Sequence, residues 1–116
     1  MLNNVEKAMF HTDVARLLYL AKRTRLDILT AVSFLCSRVR EQNVDDLRKL
    51  TRVHAYLMKT RDLVLRFGSR CEVELIAFID ASFGVHHDYS SRSGLVMILA
   101  GAAIGGCSSK QCYIMI

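Results

Sequence analysis

The sequence predicts an α+β fold in which three amphipathic helices precede a small, mainly antiparallel sheet. Two observations predict it. Up to Met58 the apolar residues recur at the i, i+3, i+4, i+7 spacing of one helix face; from Val64 they fall in short runs separated by glycine and polar turns. At 116 residues and 13.1 kDa the chain has room for one domain, or one domain and part of another, and its 52% hydrophobic content suffices for a core. The change of period divides it into residues 1–62 and 63–116.

Residues 1–10 carry no strong pattern. Thr12 or Asp13 is expected to cap a first helix with the stripe Val14, Leu17, Leu18 and Ala21, ending near Lys22-Arg23, where cations suit the negative end of the macrodipole. A second helix starts around Thr24 to Asp27 and carries Ile28, Val32, Leu35, Cys36 and Val39 on one face. Asn43 then offers an N-cap, with Asp46 three residues on as an approximate capping box. In the third helix Leu47, Leu50, Val53, His54, Leu57 and Met58 lie on one side, which makes His54 a core histidine rather than a ligand. Arg48, Arg52 and Lys59 project from the other side, with Lys49 at its margin.

Val64–Phe67 and Val73–Asp80 read as strands around a Gly68-Ser69 turn. The second is almost wholly apolar after Glu74, as expected of a strand covered on both faces. Residues 84–92 form a polar loop. Leu95–Ala100 and Ala103–Cys107 flank Gly101-Ala102 as a hairpin, and Cys112–Ile116 has the composition of the start of a further strand. Leu95–Ala100 is the segment expected to form an exposed, self-associating edge.

Charge is unevenly placed. Residues 1–70 hold 14 Lys/Arg against 7 Asp/Glu, and residues 71–116 hold 2 against 4. A basic half suits phosphate contact, and equally suits an ordinary solvated surface. The face of Arg48, Lys49, Arg52 and Lys59 has the same two readings. Four cysteines at irregular spacing, with no secretory leader, read as reduced thiols of an intracellular protein. The longest uncharged apolar stretch, 94–107, is 14 residues against the ~20 a membrane helix needs, so no membrane span is expected. His86-His87-Asp88 with Cys107 and Cys112 fits no zinc spacing. Asp80 ends an apolar strand, where a carboxylate is costly to desolvate unless a metal or a donor meets it; a solvent-exposed strand end is the alternative.

Several motifs occur in order. Tyr19-Leu20-Ala21, Thr24-Arg25 and Asp27-Ile28 are followed by Leu50, Arg52-Val53, Tyr56-Leu57, Thr60 and Asp62. Then come Phe78-Ile79-Asp80-Ala81-Ser82-Phe83, Ser93-Gly94 and Ser108-Ser109-Lys110-Gln111. Together they resemble copia-type retrotransposon Pol polyproteins over about residues 11–111, where the end of reverse transcriptase joins the start of a ribonuclease H domain. Leu26 stands where that family has proline, and Ser82 replaces the second acid of its D-A-D motif.

The resemblance implies thumb- or connection-like helices over 1–62 and a partial ribonuclease H-like sheet over 63–116. It implies that Asp80 is the first Mg²⁺-binding aspartate and that an RNA–DNA hybrid or template–primer duplex is the partner. The family's T-E-A-E acidic motif would follow Gln111 and is not found. The chain alone is therefore expected to be an inactive, truncated piece, prone to self-association through an uncovered sheet. The other reading is a non-catalytic nucleic-acid-binding or assembly module.

Overall fold

A computed structural model describes residues 3–68, 73–84 and 90–111. The chain forms three helices followed by a three-stranded antiparallel sheet, and divides into two compact units, Met1–Val64 and Leu65–Ile116.

The first unit holds α1 (Asn4–Arg23), a 3₁₀ turn (Leu26–Ile28), α2 (Leu29–Ser37) and α3 (Val44–Lys59). Helix α1 begins two turns before the expected Thr12. Asn3 Oδ1 accepts from the Glu6 amide at 2.7 Å while the Glu6 carboxylate accepts from the Asn3 amide at 2.8 Å, a reciprocal capping box. The sequence conceals this start because Val5 and Met9 are apolar yet exposed, so the first turns have no buried stripe. The predicted stripes otherwise form the core: Phe10, Val14, Leu17, Ala21, Ile28, Leu29, Val32, Leu35, Leu50 and Val53 are buried together, with Leu18, Cys36, Val39, Leu47 and Leu57 packed against them. Helix α3 begins at the Asn43–Asp46 box, as its spacing predicts. Its buried arc, Asp46-Leu50-Val53 with half-buried Leu57, is narrower than the apolar sequence stripe. His54 and Met58 lie off its edge and are exposed, so His54 is not a core histidine.

Residues 64–67 form no strand, and the sheet belongs to the second unit. Strands β1 (Leu75–Ser82), β2 (Arg92–Leu99) and β3 (Ala102–Lys110) run in the order β1-β2-β3. The expected strand at 112–116 lies outside the described residues. β1 is exposed along its length apart from half-buried Ser82, rather than covered on both faces. Among the described residues this unit has no helix to form a second layer, and an apolar composition alone cannot create one. Leu95–Ala100 belongs mainly to β2, the central strand, so it is not an edge; the edges are β1 and β3.

The β2–β3 turn is Ala100-Gly101, one residue earlier than expected, with φ of 49° and 80°. Positive φ at both central residues is the type I′ geometry that matches strand twist. Glycine adopts it freely, whereas Ala100 pays for its Cβ. A one-residue bulge beside Met97 and Ile98 then shifts the β2–β3 register. Replacing Ala100 by Asn, which tolerates this conformation, should stabilise the sheet by about 0.5–1 kcal/mol in denaturant titrations; no gain would mean that the turn is not I′ in solution.

Candidate nucleic-acid face and the Asp80 strand end

Two places in the chain carry residues suited to nucleic-acid chemistry, the exposed arc of α3 and the Asp80 end of the sheet.

The α3 arc is held by a buried guanidinium in the α1–α2 connection. Arg25, 8% exposed, donates from Nε to Asp27 Oδ1 at 3.0 Å and from Nη2 to Asp27 Oδ2 at 2.9 Å. The same fork reaches the end of α3: Nη1 donates to the Thr60 carbonyl at 3.0 Å and Nη2 to Thr60 Oγ1 at 2.6 Å. The Tyr56 hydroxyl donates to Asp27 Oδ2 at 2.9 Å, and Arg25 lies 5.7 Å from the Tyr56 ring centroid. The cation thus also caps α3, where unpaired carbonyls favour positive charge. Hydrogen bonding to Arg25, then to Tyr56, holds the Asp27 carboxyl below the usual carboxylate range against the opposing effect of burial; the Asp27 bond in turn raises Arg25. Leu26 is the first residue of the 3₁₀ turn, a position where a missing amide hydrogen would cost nothing.

Along the arc itself the four basic residues differ. Arg48 Nη1 is 3.2 Å from Asp45 Oδ1, an exposed pair of little energetic weight. Lys49 Nζ sits 4.6 Å from the Phe34 ring centroid and 3.8 Å from Asp46 Oδ1, which draws it toward α2. Asp46 is buried and also accepts from Arg38 Nε at 3.2 Å, so it organises the start of α3. Arg52 and Lys59 are exposed and form no ion pair with a described residue.

Asp80 is exposed on β1, with Gly94 opposite it on β2 and Ser108 opposite Gly94 on β3. The adjacent row on that face is Ser82, Arg92 and Lys110. Side-chain and backbone bonds hold this end of the sheet. The Gln111 amide donates to the Ser91 carbonyl at 2.9 Å, Gln111 Nε2 donates to Ser93 Oγ at 2.6 Å, and the Gly84 amide donates to Ser91 Oγ at 3.4 Å. Ser93-Gly94 and Ser108–Gln111, distant motifs in sequence, therefore meet at the Asp80 end. Glu74 lies beyond the other end of β1, about 20 Å away by strand rise. His86, His87, Asp88 and Cys112 lie outside the described residues, and Cys107 is an exposed free thiol.

Among the described residues no three His, Cys, Asp or Glu side chains converge to hold a metal. Among the described residues of its unit no second carboxylate stands beside Asp80, and one carboxylate alone does not fit a pair of Mg²⁺ ions, each of which needs several oxygen donors. No described helix is long and apolar enough to cross a membrane.

The chain is similar to a Saccharomyces cerevisiae protein named for transposon Ty5-1, at 36% identity over 102 residues. It is transposon-related. The match covers 87% of this chain and 33% of that protein, so the chain spans about a third of its relative's length. No family model matches the chain, and no solved structure matches it.

In the sequence Thr24-Arg25, Asp27, Tyr56 and Thr60 are visible only as motif residues. Their structural role has a faint sequence signal, an Arg-x-Asp pair in a helix connection. The partner 35 residues away has none.

Replacing Arg25 by Lys keeps the charge but loses the fork, and should cost the helical unit about 2 kcal/mol near neutral pH. Asp27 has a depressed folded-state pKa, so its contribution is present above the ordinary aspartate pKa of about 4 and is lost as pH falls through the folded value. The stability gap between wild type and Arg25→Lys should therefore narrow in acid. Melts from pH 7 downward test this; a gap independent of pH would exclude the ion pair as its source.

Proposed function

We propose that the chain is a piece of a copia-type retrotransposon Pol polyprotein, with residues 1–62 from the end of reverse transcriptase and 63–116 from the start of a ribonuclease H-like domain. One observation carries the reading: Asp80 lies on the first strand of an antiparallel meander, with motif residues Gly94, Ser108 and Gln111 gathered at its end. The similarity to a transposon Ty5-1 protein supports it.

In this reading Asp80 is one ligand of a Mg²⁺ site that other carboxylates must complete, and the chain alone does not hydrolyse RNA. Two-metal hydrolysis requires both cations to clamp the attacking and leaving oxygens, and one exposed acid cannot hold them. Incubating the chain with an RNA–DNA hybrid and Mg²⁺ should give no cleavage above background. Mg²⁺-dependent cutting that disappears in Asp80→Asn would overturn the inactivity while supporting the assignment of Asp80.

A second reading, a non-catalytic duplex-binding module, is favoured by the exposed Arg52 and Lys59 on one arc of α3. Phosphate contact by these two residues would make binding weak and salt-sensitive. Arg52→Ala with Lys59→Ala should lower affinity for a hybrid duplex and flatten the plot of log affinity against log salt by about 2. An unchanged slope would place the contact elsewhere.

A further inference from the structure

Helix α1 carries a second line of side chains that the core of its own unit does not use. Its buried residues Phe10, Val14, Leu17 and Ala21 form one face. On the opposite side Val5, Met9, Thr12, Arg16, Tyr19 and Arg23 recur at alternating spacings of four and three, the seam spacing of a coiled coil. All six are exposed, and the large apolar ones are open to 68% at Val5, 62% at Met9 and 68% at Tyr19. Single exposed apolar residues are ordinary on a protein surface. Three on one seam, along a helix about 30 Å long, are not scattered.

Charge divides the seam in two. The first half carries Val5 and Met9, with the acids Glu6 and Asp13 along one margin; the second carries Arg16, Tyr19 and Arg23. These charges keep capacity for a partner. Glu6 gives Oε2 to its capping box and has a second carboxylate oxygen to offer. Arg16 meets Asp13 only at 3.8 Å, an exposed pair of little weight. Arg23 lies over the Tyr19 ring, 5.5 Å from its centroid, and no described acceptor takes its N–H groups.

A second copy laid antiparallel on this seam meets it with opposite charge. About a two-fold axis the layers are Met9 on Tyr19, Thr12 on Arg16 and Val5 on Arg23, each made twice. Asp13 of one copy then lies beside Arg16 of the other, and Glu6 beside Arg23. Met9 brings a thioether to an aromatic ring, and Val5 covers the aliphatic stem of Arg23. A parallel pair would instead set each arginine against its own copy, a costly like-charge contact. Orientation is thus fixed by the order of charges along the helix.

We propose that α1 pairs with α1 of a second copy of this chain, antiparallel, through the Val5–Arg23 seam. The surface lies within the helical unit and uses neither Asp80 nor the α3 arc, so it goes beyond the nucleic-acid reading. It gives a reason for apolar side chains to stand exposed in the first turns of α1.

One helix pair is a small interface, so half-association is expected at about 100 µM. Sedimentation equilibrium of the full chain from about 10 µM to 1 mM spans that value. Arg16→Glu sets acid against Asp13 at both central contacts, and Asp13→Lys sets cation against Arg16. Each variant alone should associate about tenfold more weakly than wild type. Mixed in equal amounts, the two carry opposite charges at both contacts, and association should return to within about threefold of wild type. Thermal melts in dilute solution establish that both variants fold. Amide shifts that change on dilution of wild type, a readout independent of the variants, should fall within residues 5–23. Dilution shifts confined to 75–82 would assign association to β1 and overturn the proposal. Association of Arg16→Glu equal to wild type, or a mixture no stronger than its components, would overturn it too. A wild type that stays monomeric throughout would do the same and leave the seam to another occupant.

Discussion

The helical unit depends on satisfying one buried cation. Arg25 is nearly inaccessible, and a guanidinium removed from water needs acceptors in the plane of its fork. It finds them at Asp27 in its own connection and at Thr60 beyond the end of α3. That requirement fixes where the third helix must end relative to the turn between the first two. Hydrophobic burial is non-directional and allows the helices to slide; the fork allows one arrangement. Tyr56 completes the set by donating to the same carboxylate. The exposed arc of α3 consequently has a defined orientation within its own unit.

The sheet is built on the opposite principle. Its described residues bury little, chiefly Ala102, Ser90 and Ser91, and β1 stays exposed. Backbone ladders, the I′ turn and the Gln111–Ser93 and Ser91–Gly84 bonds hold it together. Net hydrogen-bond stabilisation is modest, near 1 kcal/mol each, whereas a buried leucine contributes two to three times as much. Among the described residues of its own unit the sheet has no second layer, and three strands by themselves lie near the lower limit of independent stability. β3 is blunted as an edge by its bulge, paired glycines and Lys110. β1 has none of these devices and is the exposed apolar edge.

What was legible in the sequence follows from how local each cause is. The Asn43–Asp46 box and the stripe from Val14 to Ala21 need only neighbouring residues, and both appear where their spacing places them. The Asn3–Glu6 box is equally local, but exposed Val5 and Met9 masked the helix period around it. The apolar run of β1 does not bring burial with it, because such a run marks a covered strand only where another layer exists to cover it. His54 falls outside the core because an apolar stripe in sequence is wider than the arc a small bundle can bury. The Arg25–Thr60 bonds were invisible, since no periodicity links residues in different elements. At the candidate site, Asp80 and the α3 cations were readable by residue type alone. That Lys49 is drawn to Phe34, and that Gly94 faces Asp80, depended on packing and register.

The residues shared with the retrotransposon pattern separate into two groups by what they touch. Thr24 closes α1 through the Leu20 carbonyl, and Arg25, Asp27, Tyr56 and Thr60 tie the connection to α3. Ser93 and Gln111 hold the sheet end. Each has a partner within its own unit, so the fold alone gives a reason for it. Asp80 and Gly94 belong to the other group. Asp80 makes no side-chain bond to a described residue, and Gly94 has no side chain to make one. The first group therefore has its reason in the fold of each unit, whereas the described structure of the sheet gives no such reason for Asp80.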